Sequence, residues 1–240
     1  MAFLTIERDG GILTATMNQP ETRNALTGNT AVQEFVQLCE DVRKDASVKV
    51  LIITAAGPIF SSGGNVKDMK RFFDDALTPD LIREEYRQGI QQIPNALVQL
   101  DVPVICAING PAIGAGLDLT CMCDIRIASE TATFAESFVR VGIVPGDGGA
   151  WLLPRAVGMA KASEMAFTGE PISAQEALAC GLVSRVVAAD QLLPTARALA
   201  AKIAANPGAV MRMTKRLLRE GQSASLASLL EISAGYQAIF

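Results

Sequence analysis

Residues Val102–Ile125 read VPVICAINGPAIGAGLDLTCMCDI, which is an apolar strand, a glycine-rich turn and a helix that carries one acid. The turn, Asn109–Gly116, supplies backbone N–H groups at the start of the helix, where partial positive charge accumulates. The acid, Asp118, follows about half a helical turn later. N–H donors beside a carboxylate are what a reaction through an oxyanion requires. We therefore expect the functional site in this segment.

A second glycine-rich turn follows another apolar strand upstream. Val48–Ala56 is apolar and rich in β-branched residues, as expected of a strand buried on both faces. Gly57 and Pro58 end the strand, and Phe60–Asn65 then reads FSSGGN. Because strand, turn and helix recur, the pattern predicts an α/β core with parallel strands, in which ligands favour the crevice outside the carboxyl ends of the strands. The pattern alone leaves open whether the two turns meet in space.

The rest of the chain alternates between short strands and amphipathic helices. A hairpin is predicted around Asp9–Gly11, because short alternating segments flank it. The other predicted elements are helices at Thr27–Lys44, Lys67–Phe73 and Leu81–Leu100, and strands at Val102–Ile108, Arg126–Ser129 and Thr133–Phe134. From about Asp190 the chain is alanine- and leucine-rich helix, broken at Asn206–Pro207 and near Gly221. Helices this apolar predict a lid or an oligomer contact.

Composition narrows the class of protein. The 240 residues are 50% hydrophobic and 19% charged, with a mean hydropathy of +0.28, which indicates one large globular domain or one domain with an appendage. The apolar runs are too short to span a bilayer, and no signal peptide is recognised. A net charge of −4 argues against a nucleic-acid partner. The five cysteines show neither a CxxC nor a zinc pattern and are expected to be free thiols in a cytoplasmic protein.

Histidine is absent from the chain. A Ser-His-Asp triad, a Cys-His pair and any histidine-ligated metal site are therefore excluded, and we expect no metal. Acid–base chemistry must instead use carboxylates, lysine, tyrosine, cysteine or water.

Four carboxylates are candidates, each with a structural alternative. Asp118 lies in an apolar stretch, where burial would raise its pKa and favour proton transfer, although it could also serve as a first-turn helix acid. Glu136 stands four residues before Arg140, a spacing that favours an ion pair. Asp147, in VPGDGG, is either functional or a turn residue. Asp124 is interpreted as a structural hydrogen-bonding acid at the start of a strand.

Several motifs together give the chain a family resemblance. It resembles the crotonase superfamily, also called the enoyl-CoA hydratase/isomerase family, over nearly its whole length. The motifs are Asn18–Leu26 (NQPETRNAL), Leu51–Met69 (LIITAAGPIFSSGGNVKDM), Pro103–Ser129, Phe134–Arg155 and Thr168–Val183 (TGEPISAQEALACGLV).

The resemblance implies a fold, an assembly and a substrate class. The implied fold is a spiral of repeated β-β-α turns over residues 1–189, followed at 190–240 by a helical region that builds trimers or pairs of trimers. The implied substrate is an acyl-CoA thioester, so coenzyme A belongs to the substrate and no separate cofactor is expected. An enolate oxygen would lie between the N–H groups of Gly64 and Ala115, alanine replacing the family's common glycine.

The resemblance also implies contacts with the substrate. Ser62 falls where the family's backbone meets the CoA adenine, and Gly63 lets the backbone of the same turn approach a ligand closely. Lys67 and Arg23 would lie near the nucleotide. Phe138 and Trp151 are interpreted either as core side chains or as substrate contacts.

The catalytic positions depart from the family's hydratases, which use two glutamates. By alignment the first corresponds to Asp118 and the second to Phe138, which cannot transfer a proton. Asp147 lies in a loop that carries a catalytic aspartate in several isomerases of the family. The resemblance therefore places isomerisation ahead of hydration, with Asp147 and Asp118 as acid–base residues and Glu136 as a weaker third. A hydratase, another enolate reaction on a CoA thioester, and a non-catalytic acyl-CoA-binding relative remain alternatives; Phe138 supports the last.

Overall fold

Two β-sheets organise the chain. The computed structural model describes residues 2–65 and 77–240. The strands are β1 (Leu4–Asp9), β2 (Ile12–Met17), β3 (Val50–Ala55), β4 (Val104–Ile108), β5 (Ala112–Ile113), β6 (Ile125–Ser129), β7 (Thr133–Ala135), β8 (Ile172–Ser173) and β9 (Arg185–Val187). Six of them form a sheet in the order β1-β2-β3-β4-β6-β9, and the other three form a sheet in the order β5-β7-β8.

The large sheet is parallel except at one edge. β1 and β2 form the predicted antiparallel hairpin, with Leu4 opposite Met17. From β2 to β9 every neighbouring pair is parallel. The prediction of parallel pairing is therefore confirmed, and the two glycine-rich turns follow the carboxyl ends of neighbouring strands, β3 and β4.

Helices cover the sheet and complete the chain. They are α1 (Ala31–Lys44), α2 (Pro79–Gln88), α3 (Gln92–Val98), α4 (Ala115–Cys121), α5 (Gly149–Val157), α6 (Met159–Thr168), α7 (Ala174–Ala179), α8 (Leu192–Ala204), α9 (Gly208–Glu220) and α10 (Leu226–Gln237). Short 3-10 segments lie at Pro20–Thr22, Ser137–Val141 and Ala189–Gln191. None of the helices within 2–65 and 77–240 combines the length and apolar character needed to cross a bilayer.

Both faces of the large sheet are buried at strand β3. Successive residues of β3 point to opposite faces, so that Leu51 and Ile53 join a core with α1 and α3, whereas Val50 and Ile52 join a second core with α8. This explains why β3 is apolar throughout. Helix α8 thus packs on the sheet although it follows residue 190; the proposed division of the chain at that point stays a prediction.

Charged side chains tie helix α9 to the rest of the chain. Every residue of α9 and α10 is at least partly exposed. From α9, Arg212 donates to the backbone oxygens of Asp45 and Val48, both at 3.1 Å. Lys215 contacts Asp124 at 2.6 Å, and Asp124 also accepts the Val104 N–H at 2.7 Å. The structural role predicted for Asp124 is confirmed.

Helix boundaries differ from prediction in two places, and a third predicted helix is not tested. α1 begins at Ala31 rather than Thr27, because the Asn29 side chain accepts the Ala31 N–H at 2.9 Å and fixes the start there. The single helix predicted over Leu81–Leu100 is two helices, α2 and α3, separated at Gly89. The helix predicted at Lys67–Phe73 lies outside the described residues. The breaks at Asn206–Pro207 and Gly221 are confirmed.

Candidate active site

The two glycine-rich turns are in direct contact. A parallel bridge joins Ser61 to Ala112, linking the first turn to the small sheet. Gly63 has φ +80°, and a Cβ there would lie 2.5 Å from the Ile113 oxygen and 3.0 Å from the Ala115 nitrogen. A Cβ at Gly116 would lie 2.5 Å from the Ser61 oxygen. Glycine is therefore required on both sides for the turns to approach this closely.

A buried hydrogen-bond network fixes the first turn. The Asn24 side chain donates to the backbone oxygens of Ala56 at 3.0 Å and Ile59 at 2.9 Å. The Ser61 hydroxyl donates to the Asn24 oxygen at 2.8 Å and accepts the Gly63 N–H at 3.1 Å. Sequence reasoning did not single out Asn24 or Ser61, although both lie in the motifs that carry the family resemblance. Their role is to hold the turn rigid.

The predicted oxyanion donors line one cavity. Gly64 and Ala115 both border a cavity of about 420 Å³, which Asp147 and Phe138 also line. Ala115 is the first residue of α4, so its N–H has no partner within that helix. Neither N–H donates to an acceptor in the described parts of the chain. Two backbone donors are thus available to a ligand in this cavity.

Apolar side chains form part of the remaining wall. Val32, Tyr86 and Ile90 line the cavity with Phe138. The Phe138 ring lies over Gly114, because a Cβ on that glycine would be 3.6 Å from the ring. A wall of this kind suits an acyl chain, and the ring stands beside the turn that supplies the Ala115 N–H.

Three buried carboxylates lie together behind this turn. Asp118 of α4, Glu136 after β7 and Asp147 before α5 are 0%, 1% and 3% exposed. Asp118 interacts electrostatically with both other carboxyl groups. Gly149 leaves the space for Asp118, since a Cβ at Gly149 would lie 2.5 Å from Asp118 Oδ2. Of the three, Asp147 alone lines the 420 Å³ cavity.

Burial keeps protons on this group of carboxylates. Burial first, and then the charges of Asp147 and Glu136, raise the pKa of Asp118 well above its ordinary value. Burial and the Asp147 charge raise the pKa of Glu136 to about 8. Burial also raises the pKa of Asp147, but the hydrogen bond from Asp118 opposes that rise. Burial and the neighbouring charges thus favour the protonated form most strongly for Asp118 and less strongly for Asp147.

The prediction of an ion pair between Glu136 and Arg140 is wrong. Glu136 precedes a 3-10 segment and points into the interior, where it is 1% exposed. Arg140 faces outward and lies 4.0 Å from Glu170. A 3-10 segment does not align residues four apart as an α-helix does. The buried Glu136 carboxylate therefore interacts with Asp118 and Asp147 and not with Arg140.

The predicted substrate contacts fall in three places. Ser62 and Arg23 lie together at the first turn, where the Ser62 N–H donates to the Arg23 oxygen at 3.0 Å. Lys67 lies outside the described residues. Trp151 borders a different cavity, of about 300 Å³, and the Arg155 guanidinium lies over its ring at 3.8 Å. The substrate-binding roles of these residues stay predictions.

Comparison with known proteins identifies the family. The family model described as enoyl-CoA hydratase/isomerase matches residues 7–238. The chain belongs to this family. A probable enoyl-CoA hydratase of Mycobacterium bovis is 35% identical over 93% of the chain and 84% of its own length. A 1,2-epoxyphenylacetyl-CoA isomerase of Escherichia coli is 32% identical over 99% of the chain and 89% of its own length.

Solved structures support the same assignment. The enoyl-CoA hydratase of Bacillus anthracis superposes with a TM-score of 0.91 and 30% identity, covering 99% of this chain and 90% of that one. The predicted crotonase fold is therefore confirmed, and the protein is an enzyme of the enoyl-CoA hydratase/isomerase family. Its relatives include both hydratases and an isomerase, so the reaction has to be argued from the site itself.

Proposed function

We propose that this enzyme moves the carbon–carbon double bond of an enoyl-CoA thioester. One observation carries the proposal: Asp147 lines the same cavity as Gly64 and Ala115, whereas Asp118 and Glu136 lie behind it. Of the three buried carboxylates, Asp147 alone therefore faces the substrate; the other acid in the cavity wall is Glu85 of α2. Isomerisation needs one base that can also return its proton, whereas the family's hydration uses two.

The reaction follows from these three groups. The thioester oxygen accepts hydrogen bonds from the N–H groups of Gly64 and Ala115. The Asp147 carboxylate removes a proton from the α-carbon of a 3-enoyl thioester, and the electron pair moves onto the oxygen to form a dienolate. The protonated Asp147 then delivers its proton to the γ-carbon, and the double bond re-forms between the α- and β-carbons. No atom is gained or lost.

The surroundings of Asp147 suit this task. Burial raises its pKa and makes it a stronger base, while the proton held by Asp118 keeps it ionised. Phe138 stands where the resemblance places the second glutamate of a hydratase, and its side chain cannot transfer a proton to or from a water.

A hydratase is the second candidate. The hydrogen bond between Asp118 and Asp147 supplies two carboxyl groups, one protonated and one ionised. Such a pair could activate a water and protonate the α-carbon if both reached the substrate. The relative from Mycobacterium bovis is named as a probable hydratase.

The test is a substrate panel in D₂O. Purified enzyme is incubated with 2-enoyl- and 3-enoyl-CoA thioesters of several chain lengths, and the products are followed by mass spectrometry. We expect a shifted double bond without added water. Asp147→Asn should lower isomerisation by about 10²-fold or more while CoA-thioester binding persists, because the amide cannot accept the proton. Asp190→Asn, at an exposed site, is the matched control.

Each other outcome has a defined meaning. Added water means a hydratase. Isomerisation that survives in Asp147→Asn removes Asp147 from the mechanism. Thioester binding without any isomerisation, hydration or deuterium exchange means a non-catalytic acyl-CoA-binding protein.

We also propose a homotrimer or a dimer of trimers in the cytoplasm, acting on acyl-CoA without a separate cofactor. Exposed apolar side chains on the C-terminal helices support the assembly: Leu218 is 71%, Leu226 73% and Leu230 59% exposed. Five free cysteines support a reducing compartment. A solution mass of three or six times 25.3 kDa would support the assembly, and a monomer would exclude it.

A further inference from the structure

The 420 Å³ cavity is called the first cavity below. Another cavity, called the second cavity, lies on the far side of the carboxylates from it. It has a volume of about 390 Å³ and is bordered by Glu136, by Val139 and Ile143 near the 3-10 segment, and by Leu153 and Ala162 of α5 and α6. Asp147 borders the first cavity and not this one. The three carboxylates therefore span from the first cavity to the second.

Several oxygens of the three carboxylates have no hydrogen-bond donor among the described residues. Asp118 Oδ1 and Oδ2, Glu136 Oε2 and Asp147 Oδ1 are buried and accept no hydrogen bond from any donor in the described residues. Burying an acceptor without a hydrogen bond costs free energy, so each such group calls for a structural or functional explanation. Asp118 interacts electrostatically with both Asp147, which borders the first cavity, and Glu136, which borders the second. Each carboxyl group has two oxygens, so one can receive a proton while the other gives one up.

We propose that Asp147, Asp118 and Glu136 form a proton relay between the substrate cavity and water in the second cavity. The inference rests on the proposed role of Asp147 as the base. When Asp147 has taken the substrate proton, it passes that proton to Asp118, Asp118 passes its own proton to Glu136, and Glu136 releases one to water. The reverse sequence brings a solvent proton back to Asp147. The net result is exchange of the transferred proton with solvent.

Exchange of this proton with solvent during turnover would require such a route. Asp147 is only 3% exposed, and a bound thioester would close the first cavity above it. Two other titratable groups near the carboxylates do not take up the proton. Burial raises the pKa of Cys121 beside Asp118 to about 11, and burial followed by the Asp147 charge raises the pKa of Tyr86. Both groups stay protonated at neutral pH, whereas Asp118 and Glu136 extend from Asp147 to the second cavity.

The experiment measures deuterium incorporated per turnover. A 3-enoyl-CoA is isomerised in D₂O to low conversion, and product deuterium is divided by product formed. Wild-type enzyme should incorporate deuterium, and Glu136→Gln should lower that ratio by about threefold or more, because an amide does not pass on a proton. Glu170→Gln, an exposed glutamate paired with Arg140, is the matched control and should behave as wild type.

A second variant covers the case in which Glu136→Gln does not fold. Ser163→Phe fills the second cavity from α6 without changing a carboxylate, and it should lower the same ratio. Correct folding is checked by circular dichroism and by thioester binding.

The outcomes separate the relay from the proposed function. A wild-type ratio in folded Glu136→Gln and in Ser163→Phe overturns the relay, as does wild-type product that carries no deuterium. Both results leave isomerisation by Asp147 intact. Loss of the proposed function would show differently, as isomerisation in Asp147→Asn or no isomerisation by wild type, and it would overturn the relay as well.

Discussion

Asp118 can occupy its position because residue 149 is glycine and has no side chain. Its carboxylate lies where the Cβ of any other residue at position 149 would be. Gly149 begins α5, so the space comes from the start of one helix and the acid from another, α4. The carboxylate group therefore depends on the distance between these two helices.

The first prediction concerns this contact. Gly149→Ala should push Asp118 away and lower isomerisation by about 10-fold or more, with a loss of about 1–3 kcal/mol in unfolding free energy from overpacking. Gly208→Ala is the control, because its new Cβ would meet Lys49 only at 3.8 Å. The measurements are turnover and urea unfolding. Wild-type turnover in Gly149→Ala would show that the position of Asp118 is unimportant.

At the scale of elements, the first turn is held by a side chain from another segment. Asn24 lies in the loop before α1 and bonds the backbone on both sides of the Gly57–Pro58 break through Ala56 and Ile59. The Gly64 donor is therefore placed by a buried amide from an earlier part of the chain.

Removing that amide should affect both stability and function. Asn24→Ala leaves two partly buried carbonyl oxygens unpaired, at a cost of up to about 1–3 kcal/mol for each group. Because the turn also loosens, we expect a fall in kcat as well as in unfolding free energy. Asn18→Ala is the control, since its side chain is exposed and makes one long contact of 3.5 Å. An unchanged kcat in folded Asn24→Ala would show that these hydrogen bonds do not position the oxyanion donors.

Sequence patterns predicted the long elements and missed the short ones. β3 and β4 were predicted because both of their faces are buried, and the helix breaks followed from proline and glycine. β5 and β8 have two residues each and β9 has three, too few for a period to register. Gly89 divided α2 from α3 although the apolar spacing continued across it.

At the scale of the whole molecule, the site is a product of tertiary contacts. The meeting of the turns depends on a bridge between Ser61 and Ala112, and the three carboxylates come from a helix, a strand end and a loop. Local spacing instead paired Glu136 with Arg140, because periodicity cannot show that a residue points into the core. The individual acids could be named from sequence, but their grouping could not.

That grouping makes the stability of the whole protein depend on pH. An acid whose pKa is higher folded than unfolded binds more protons in the folded state, so unfolding free energy falls as pH rises between the two values. For Glu136 the interval runs from the ordinary 4.5 to about 8. Asp118 and Asp147 act in the same direction, since their pKa values are raised too.

We expect urea unfolding to show lower stability at about pH 7.5 than at about pH 5.5, with one such group contributing about 1.4 kcal/mol per pH unit. Glu136→Gln should reduce this slope, and Glu170→Gln should leave it unchanged. A slope in Glu136→Gln equal to that of wild type would mean that Glu136 titrates normally.

Helix α8 has a consequence for how the protein is made. Val50 and Ile52 are synthesised early, but Leu192, Ala196 and Ala200, which cover them, come more than a hundred residues later. On the ribosome, one hydrophobic face of the β-sheet therefore stays uncovered until most of the chain has been translated. Chaperones would have their longest engagement with this protein during that interval, and a messenger truncated before the last helices would yield an aggregating product.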